Sequence, residues 1–181
     1  MSQSQSAVQL DGSCQCEKVR FSVSSDYVFP YQLCYCGICR KTQGGGGFAI
    51  NLSADARTLS ITGQENIQIH HAHVKNPEDS KMHISHGERH FCGSCGTALW
   101  VFDEKYPDLC HPFASAIDTV LPMPPNKTHI MMEFKAPWVE AQIGDKDLVF
   151  NRYPEESIAD WHKRNDVVGK SAVGESTEDK P

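Results

Sequence analysis

Val19, Phe21 and Val23 alternate with polar residues, as do Leu59 with Ile61 and Ile67 with Ile69. A period of two sets every second side chain on one face, the pattern of a strand half-buried against a core. Further strands are expected over residues 48–52, 98–102 and 129–134, rich in β-branched and aromatic residues. Turn chemistry separates these runs at the glycines 44–47, at Thr62-Gly63, at Asn76-Pro77, at 122–126 and at Gly144-Asp145. Helical spacing is convincing only over 155–164, where Pro154 precedes the segment and Ile158 and Trp161 stand three apart on one face. Trp161 should dock that helix onto the sheet, and Trp100, Phe102, Phe134 and Trp138 are assigned to the core. Residues 1–10 and 166–181 read as disordered tails with little to bury. What remains, residues 11–165, is expected to be one mainly β domain with short helices, one near the C-terminus.

Composition sharpens this picture by exclusion. A chain of 181 residues suits a single domain, and 39% apolar residues before glycine is counted can build a core. A net charge of −6 argues against a sequence-independent grip on nucleic acid, which depends on neutralising phosphates. It leaves room for a local basic groove. No stretch approaches the roughly 18 apolar residues of a membrane span. The opening Met1–Leu10 lacks the basic and apolar segments of a secretory signal, so a cytoplasmic location is expected.

Eight cysteines are the unusual entry in the composition. In a reducing cytosol clustered thiols are metal ligands rather than disulfides. Cys92-Gly93-Ser94-Cys95-Gly96 is a strong zinc-knuckle pattern, because a Cys-x-x-Cys turn aims two sulfurs at one point and the following Gly permits the tight backbone. Cys14-Gln15-Cys16 and Cys34-Tyr35-Cys36 add two-residue steps that put both sulfurs on one face of an extended strand, and Cys39 follows Cys36 three residues on. These seven thiols divide naturally into a closed site of four (Cys14, Cys16, Cys92, Cys95) and an open site of three (Cys34, Cys36, Cys39), which matches structural and catalytic zinc respectively. Spacing alone leaves alternatives. Cys110 or one of nine histidines would close the second site and make it structural, and Cys36-Gly37-Ile38-Cys39 would serve as a dithiol redox motif in a βαβ context, which is missing here. Cys110 otherwise packs as a small hydrophobe. The histidines at 70, 71, 73, 83, 86 and 90 have no spacing that makes a compact metal site.

The chain resembles the glutathione-dependent formaldehyde-activating enzyme and centromere protein V family. The resemblance is carried by Gly12-Ser13-Cys14-Gln15-Cys16 with Val19-Arg20-Phe21, Cys34-Tyr35-Cys36 with Cys39-Arg40, the glycine loop ending at Phe48, Phe91-Cys92-Gly93-Ser94-Cys95-Gly96, His129-Ile130 and Ala136-Pro137-Trp138. It implies a complex β fold similar to the Mss4-like zinc proteins, two Zn2+ per chain, and the same division of ligands: Cys14, Cys16, Cys92 and Cys95 structural, Cys34, Cys36 and Cys39 catalytic. Departures from the family pattern are Glu17 in place of the usual Gly, Tyr35 in place of a common His, and an apparent insertion over 73–86.

The implied activity is a carbon–sulfur lyase reaction in which the thiol of glutathione adds reversibly to formaldehyde or another small electrophile. Glutathione carries two carboxylates, so cationic or N–H donors are sought beside the metal. Arg40 and Lys41 follow the triplet, Gly45 and Gly46 would offer main-chain N–H groups, and His129 is the candidate acid–base or hydrogen-bonding partner, with a structural role as its alternative. The expected partner is therefore a small-molecule thiol or thiol adduct, with no nucleic acid and no membrane. The competing readings are a non-catalytic zinc-ribbon scaffold that binds a protein, and a lyase or dehydratase of specialised metabolism.

Overall fold

The computed structural model describes residues 7–43, 45–75 and 81–165, so Gly44, the Asn76-Pro77 turn and the C-terminal tail over 166–181 lie outside the described residues. The chain forms β1 (Val8–Ser13), β2 (Arg20–Ser25), β3 (Gln32–Cys34), α1 (Gly37–Gln43), β4 (Ala49–Asn51), β5 (Ala54–Thr62), β6 (Ile67–Lys75), β7 (Met82–Cys92), β8 (Ala98–Phe102), β9 (Leu109–Pro112), β10 (Thr128–Ile130), β11 (Leu148–Val149) and α2 (Ile158–Arg164). A seven-stranded sheet runs in the order β1-β2-β5-β9-β8-β7-β6, and a four-stranded sheet in the order β11-β10-β3-β4. The class is mainly β, as the alternation predicts. Among the described residues no helix is long and apolar enough to cross a membrane.

The alternating residues do what their period requires. Val19, Phe21 and Val23 are buried while Arg20, Ser22 and Ser24 face outward or half outward. Phe21 meets Trp100 edge-on at 5.1 Å between ring centroids, which ties β2 to β8. Burying side chains of this size contributes roughly 1.5–3 kcal/mol each.

Several expectations are corrected. β1 begins at Val8, inside the stretch read as tail over 1–10: Val8, Gln9 and Leu10 pair with Ser25, Ser24 and Val23. The strand expected over 129–134 stops at Ile130, because Met131 takes a left-handed φ of 61° and turns the chain into a short 3-10 segment. Phe134 and Trp138 consequently leave the core and are 46% and 66% exposed. α1 is a helix where none was expected. The helix near the C-terminus starts at Ile158, with the Ser157 hydroxyl accepting the Asp160 N–H as its cap. Trp161 packs against the main core and stacks on Tyr27, as its position on the helix face predicts. Within the segment read as an insertion over 73–86, His73, Val74 and Lys75 of β6 pair with Ile84, His83 and Met82 of β7, after a register irregularity between His71 and His73.

Candidate metal centres

Two turns build the first cluster. Cys14 and Cys16 sit in the β1–β2 turn, where Cys14 N–H bonds to Val19 O and Glu17 N–H to Cys14 O, both at 2.9 Å. Cys92 ends β7 and Cys95 follows in the turn to β8, closed by Gly96 N–H to Cys92 O at 2.8 Å. Gln15 N–H to Thr97 Oγ1 and Lys18 Nζ to Ser94 Oγ lock the two turns together. All four sulfurs lie within 4.8 Å of one another. Cys14 and Cys16 Sγ are 3.5 Å apart, and Cys16 and Cys92 Sγ 3.8 Å. Those spacings are near the edge of about 3.8 Å that a sulfur tetrahedron has around zinc at about 2.3 Å. They are far longer than a disulfide, and all eight cysteines are free.

The cluster's protons are already unevenly held. Cys95 is drawn down to about 5 by the Thr97 hydroxyl and N–H, and Cys16 is pushed up to about 11, its bond from Lys18 N–H outweighed by burial and the neighbouring thiols. Burial pushes Cys14 up, but the Val19 N–H, 3.2 Å from Cys14 Sγ, together with the Cys16 and Cys92 thiols outweighs it and leaves the thiol below its usual value. Crowded thiols share few protons and donors readily, the condition a divalent cation relieves.

The glycine that follows Cys95 earns its place through backbone conformation: Gly96 has φ 77°, which a side chain would oppose. After Cys16 the same left-handed conformation is held by Glu17, at φ 60°. A non-glycine residue there stores about 1 kcal/mol, and the exposed Glu17–Arg20 ion pair at 2.9 Å offsets little of it. Glu17→Gly should therefore raise stability by about 0.5–1 kcal/mol, seen as a higher urea midpoint at unchanged slope.

The second cluster sits at the end of an inner strand of the smaller sheet. Cys34 ends β3, Cys36 precedes α1 and Cys39 lies within it, their sulfurs again within 4.8 Å. Cys36 Sγ accepts the Cys39 N–H at 3.3 Å, and Arg40 N–H bonds to Cys36 O at 3.0 Å, so the thiol caps the helix that carries its neighbour. Ala49, Phe113 and Ile130 pack around Cys34 and Cys39, and make the surroundings apolar. Hydrogen bonds from Cys34 and then Cys39 hold Cys36 far down at about 2. The bond with Cys34 pulls Cys39 down as well, but the Cys36 thiol, burial and the Cys36 charge override it and lift Cys39 to about 11. Cys34 is driven far above the thiol range by the same two neighbours and by burial. Three ionised sulfurs this close repel one another, a repulsion that a divalent cation relieves.

Among the described residues, no fourth Cys, His, Asp or Glu joins this triplet. Cys110 does not close it: it is fully buried in the main core on β9, with burial pushing its thiol up to about 12. The histidines of β6 and β7 form no metal-holding group among the described residues either.

Beside the triplet lies a cleft of about 600 Å³ lined by Cys36, Arg40 and Lys41 in and next to α1, by His70, His73 and Lys75 of β6, and by Met131 and Phe134. Of the residues expected from sequence to contact substrate, Arg40 and Lys41 line this cleft. Gly45 and Gly46 are exposed and line neither this cleft nor the smaller one next to it. The needed glycine of that loop is Gly47, at φ 86°, where a Cβ would stand 2.2 Å from Val139 Cγ2.

His129 does not line either cleft. It is completely buried, stacked on Tyr35 at 5.7 Å, with Nδ1 2.9 Å from the Tyr35 hydroxyl and Nε2 3.1 Å from Asp147 Oδ2. Burial pushes the Asp147 carboxyl up, but N–H bonds from Gly144 and Lys127 and the bond with His129 hold it near 2. Both ring nitrogens are therefore engaged, and no side of the ring meets solvent. The ring anchors Tyr35, the residue between Cys34 and Cys36, from the side of the strand opposite the sulfurs.

Sequence reasoning missed Arg89, on β7. Its Nη2 is 4.0 Å from Cys39 Sγ, and it lines an adjoining cleft of about 300 Å³ that shares Thr42 and His70 with the larger one.

Residues 9–133 match the glutathione-dependent formaldehyde-activating enzyme family. A Halomonas elongata protein that carries the provisional name of glutathione-dependent formaldehyde-activating enzyme is 53% identical over 155 residues, which cover 86% of this chain and 95% of that one. A solved Rhodobacter sphaeroides chain aligns with a TM-score of 0.45 at 20% identity, covering 62% of this chain and 91% of its own.

Proposed function

The chain belongs to the glutathione-dependent formaldehyde-activating enzyme family, and on that premise we propose that it is a zinc enzyme that makes or breaks the carbon–sulfur bond between a thiol, glutathione in the first place, and formaldehyde or a similar small electrophile. The observation that carries this reading is the thiol triplet: three sulfurs, with no fourth protein ligand among the described residues, beside a cleft large enough for a tripeptide thiol. All-sulfur donor sets at these spacings suit zinc. Cys14, Cys16, Cys92 and Cys95 would hold a structural ion, whereas Cys34, Cys36 and Cys39 would hold one with a free coordination position. An ion held there supplies Lewis acidity and keeps a bound thiol ionised near neutral pH.

The chain's own residues do the rest. Arg40 and Lys41 offer cations to the substrate carboxylates along the cleft wall. The Tyr35–His129–Asp147 series holds the strand that presents Cys34 and Cys36, and the apolar packing of Phe113 and Ile130 keeps water from the buried side of the triplet. In the reaction the thiol loses its proton, the sulfur–carbon bond forms, the carbonyl π pair moves to oxygen, and that oxygen takes up a proton. No oxidant or reductant is consumed. A cleft lined by cations beside the reactive thiols favours this reading over a protein-binding scaffold.

Exchange spectroscopy on glutathione with 13C-formaldehyde tests it. The metal-loaded protein should speed exchange between free formaldehyde and the hydroxymethyl thioether at least 100-fold over the same mixture without protein. Two bound zinc ions with no acceleration would sink the proposal.

A further inference from the structure

Buried polar side chains are almost always paired, yet Arg40 Nε, Gln43 Nε2, Arg89 Nη1 and His90 Nδ1 are buried without a partner among the described residues. All four belong to α1 or β7, the two elements that flank the triplet. The Gln43 amide is fixed by its Oε1, which accepts from the Ser115 hydroxyl at 3.0 Å, so the unpaired atom is a true donor. Arg89 is the sharpest case. No carboxylate pairs with it among the described residues, its Nη2 stands 4.0 Å from Cys39 Sγ, and no acidic residue lines the smaller cleft on which it lies. A guanidinium without a carboxylate partner, with Nη2 against a thiol of the triplet and Nη1 buried and unpaired, is a donor fork suited to an anion.

We propose that Arg89 is a catalytic residue of the second site, which donates hydrogen bonds to the oxygen on which negative charge develops as the carbon–sulfur bond forms. It acts as a donor only, since a guanidinium does not give up its proton. The proton on the product hydroxyl comes from solvent, which balances the one lost by the thiol. The inference rests on reading the triplet as the site of thiol addition, but it predicts an anion site of its own. Preorganised donors of this kind are worth about 100- to 1000-fold in rate.

The test uses the zinc-loaded full chain and its Arg89→Gln and Arg89→Lys variants, with formate as a probe for a small oxygen anion. Arg89→Gln should lower turnover of glutathione and formaldehyde about 100- to 1000-fold and abolish formate binding measured by titration calorimetry. Its zinc content should stay at two, and its affinity for glutathione should stay within about threefold. Arg89→Lys, which keeps the charge but loses the fork, should recover about a tenth of the activity and some formate binding. Wild-type turnover that survives in Arg89→Gln overturns the assignment and leaves the thiol-addition reading intact. Loss of zinc in both variants also overturns it, since Arg89 would then merely neutralise the thiolates. Arg89-dependent formate binding without any thiol turnover in the wild type would sink the reaction and retain the anion site.

Discussion

Cys92→Ser should leave a chain that does not fold and retains no zinc at its first cluster. Cys92 is wholly buried at the end of β7, and its sulfur is 3.8 Å from that of Cys16, which stands in the turn between β1 and β2. The cluster thus joins one edge of the seven-stranded sheet to the second strand from its opposite edge, across positions 76 residues apart in the chain. A structural zinc contributes on the order of 10 kcal/mol, while a domain of this size has in total only about 5–15 kcal/mol to lose. Serine is a poor ligand and leaves a buried hydroxyl with the sulfur's partners unserved, so most of that contribution goes. Far-ultraviolet circular dichroism should show the loss of strand signal, and metal analysis less than one zinc per chain. A variant that unfolds cooperatively near the wild-type urea midpoint would refute the structural assignment. Chelation of the wild type should act in the same direction, on the slower timescale set by metal release.

The parts of the molecule that were legible in the sequence are those whose signal is local. A period of two over Val19, Phe21 and Val23 maps directly onto burial, and the seven clustered cysteines announce themselves because a two- or three-residue step fixes where two sulfurs point. α1 was illegible because it is seven residues with no apolar stripe; a helix that short is not stable by propensity, and here Cys36 caps it while Cys39 packs against Phe113 and Ile130. β7 reads as polar on both faces, since its Ser, His, Glu and Arg residues pair with β6 and β8 rather than alternate against a core. Phe134 and Trp138 look like core residues until the left-handed Met131 turns the chain outward. His129 looks reactive in a motif, yet its neighbours 94 positions back and 18 positions on enclose it. Arg89 carried no local signal at all. It meets Cys39 from 50 residues away, a contact that the pairing of β7 with β8 and the placement of α1 create together.

Cys39→Ser, by contrast, should keep the fold and end the chemistry. The seven-stranded sheet and the first cluster do not depend on the triplet, which belongs to a small packing group of its own with Ala49, Phe113 and Ile130. Removing one sulfur takes away the second metal and loosens α1, at a cost of about 1–3 kcal/mol rather than the whole stability. Metal content should fall from two zinc ions to one, with cooperative urea unfolding retained. Turnover should fall by at least about 1000-fold, because two separate contributions vanish together. A free thiol is only about 3% ionised at pH 7, so loss of coordination alone lowers the thiolate population about thirtyfold, and the loss of carbonyl polarisation removes several kcal/mol more. The comparison of the two serine variants is what separates the clusters. If Cys39→Ser unfolded as completely as Cys92→Ser, both sites would be structural and the cleft beside the triplet would have no reaction to serve. If it kept both metals and full turnover, the triplet would not be the site at all. A folded, one-zinc, inactive variant is the outcome that the three-sulfur arrangement and its cationic cleft require.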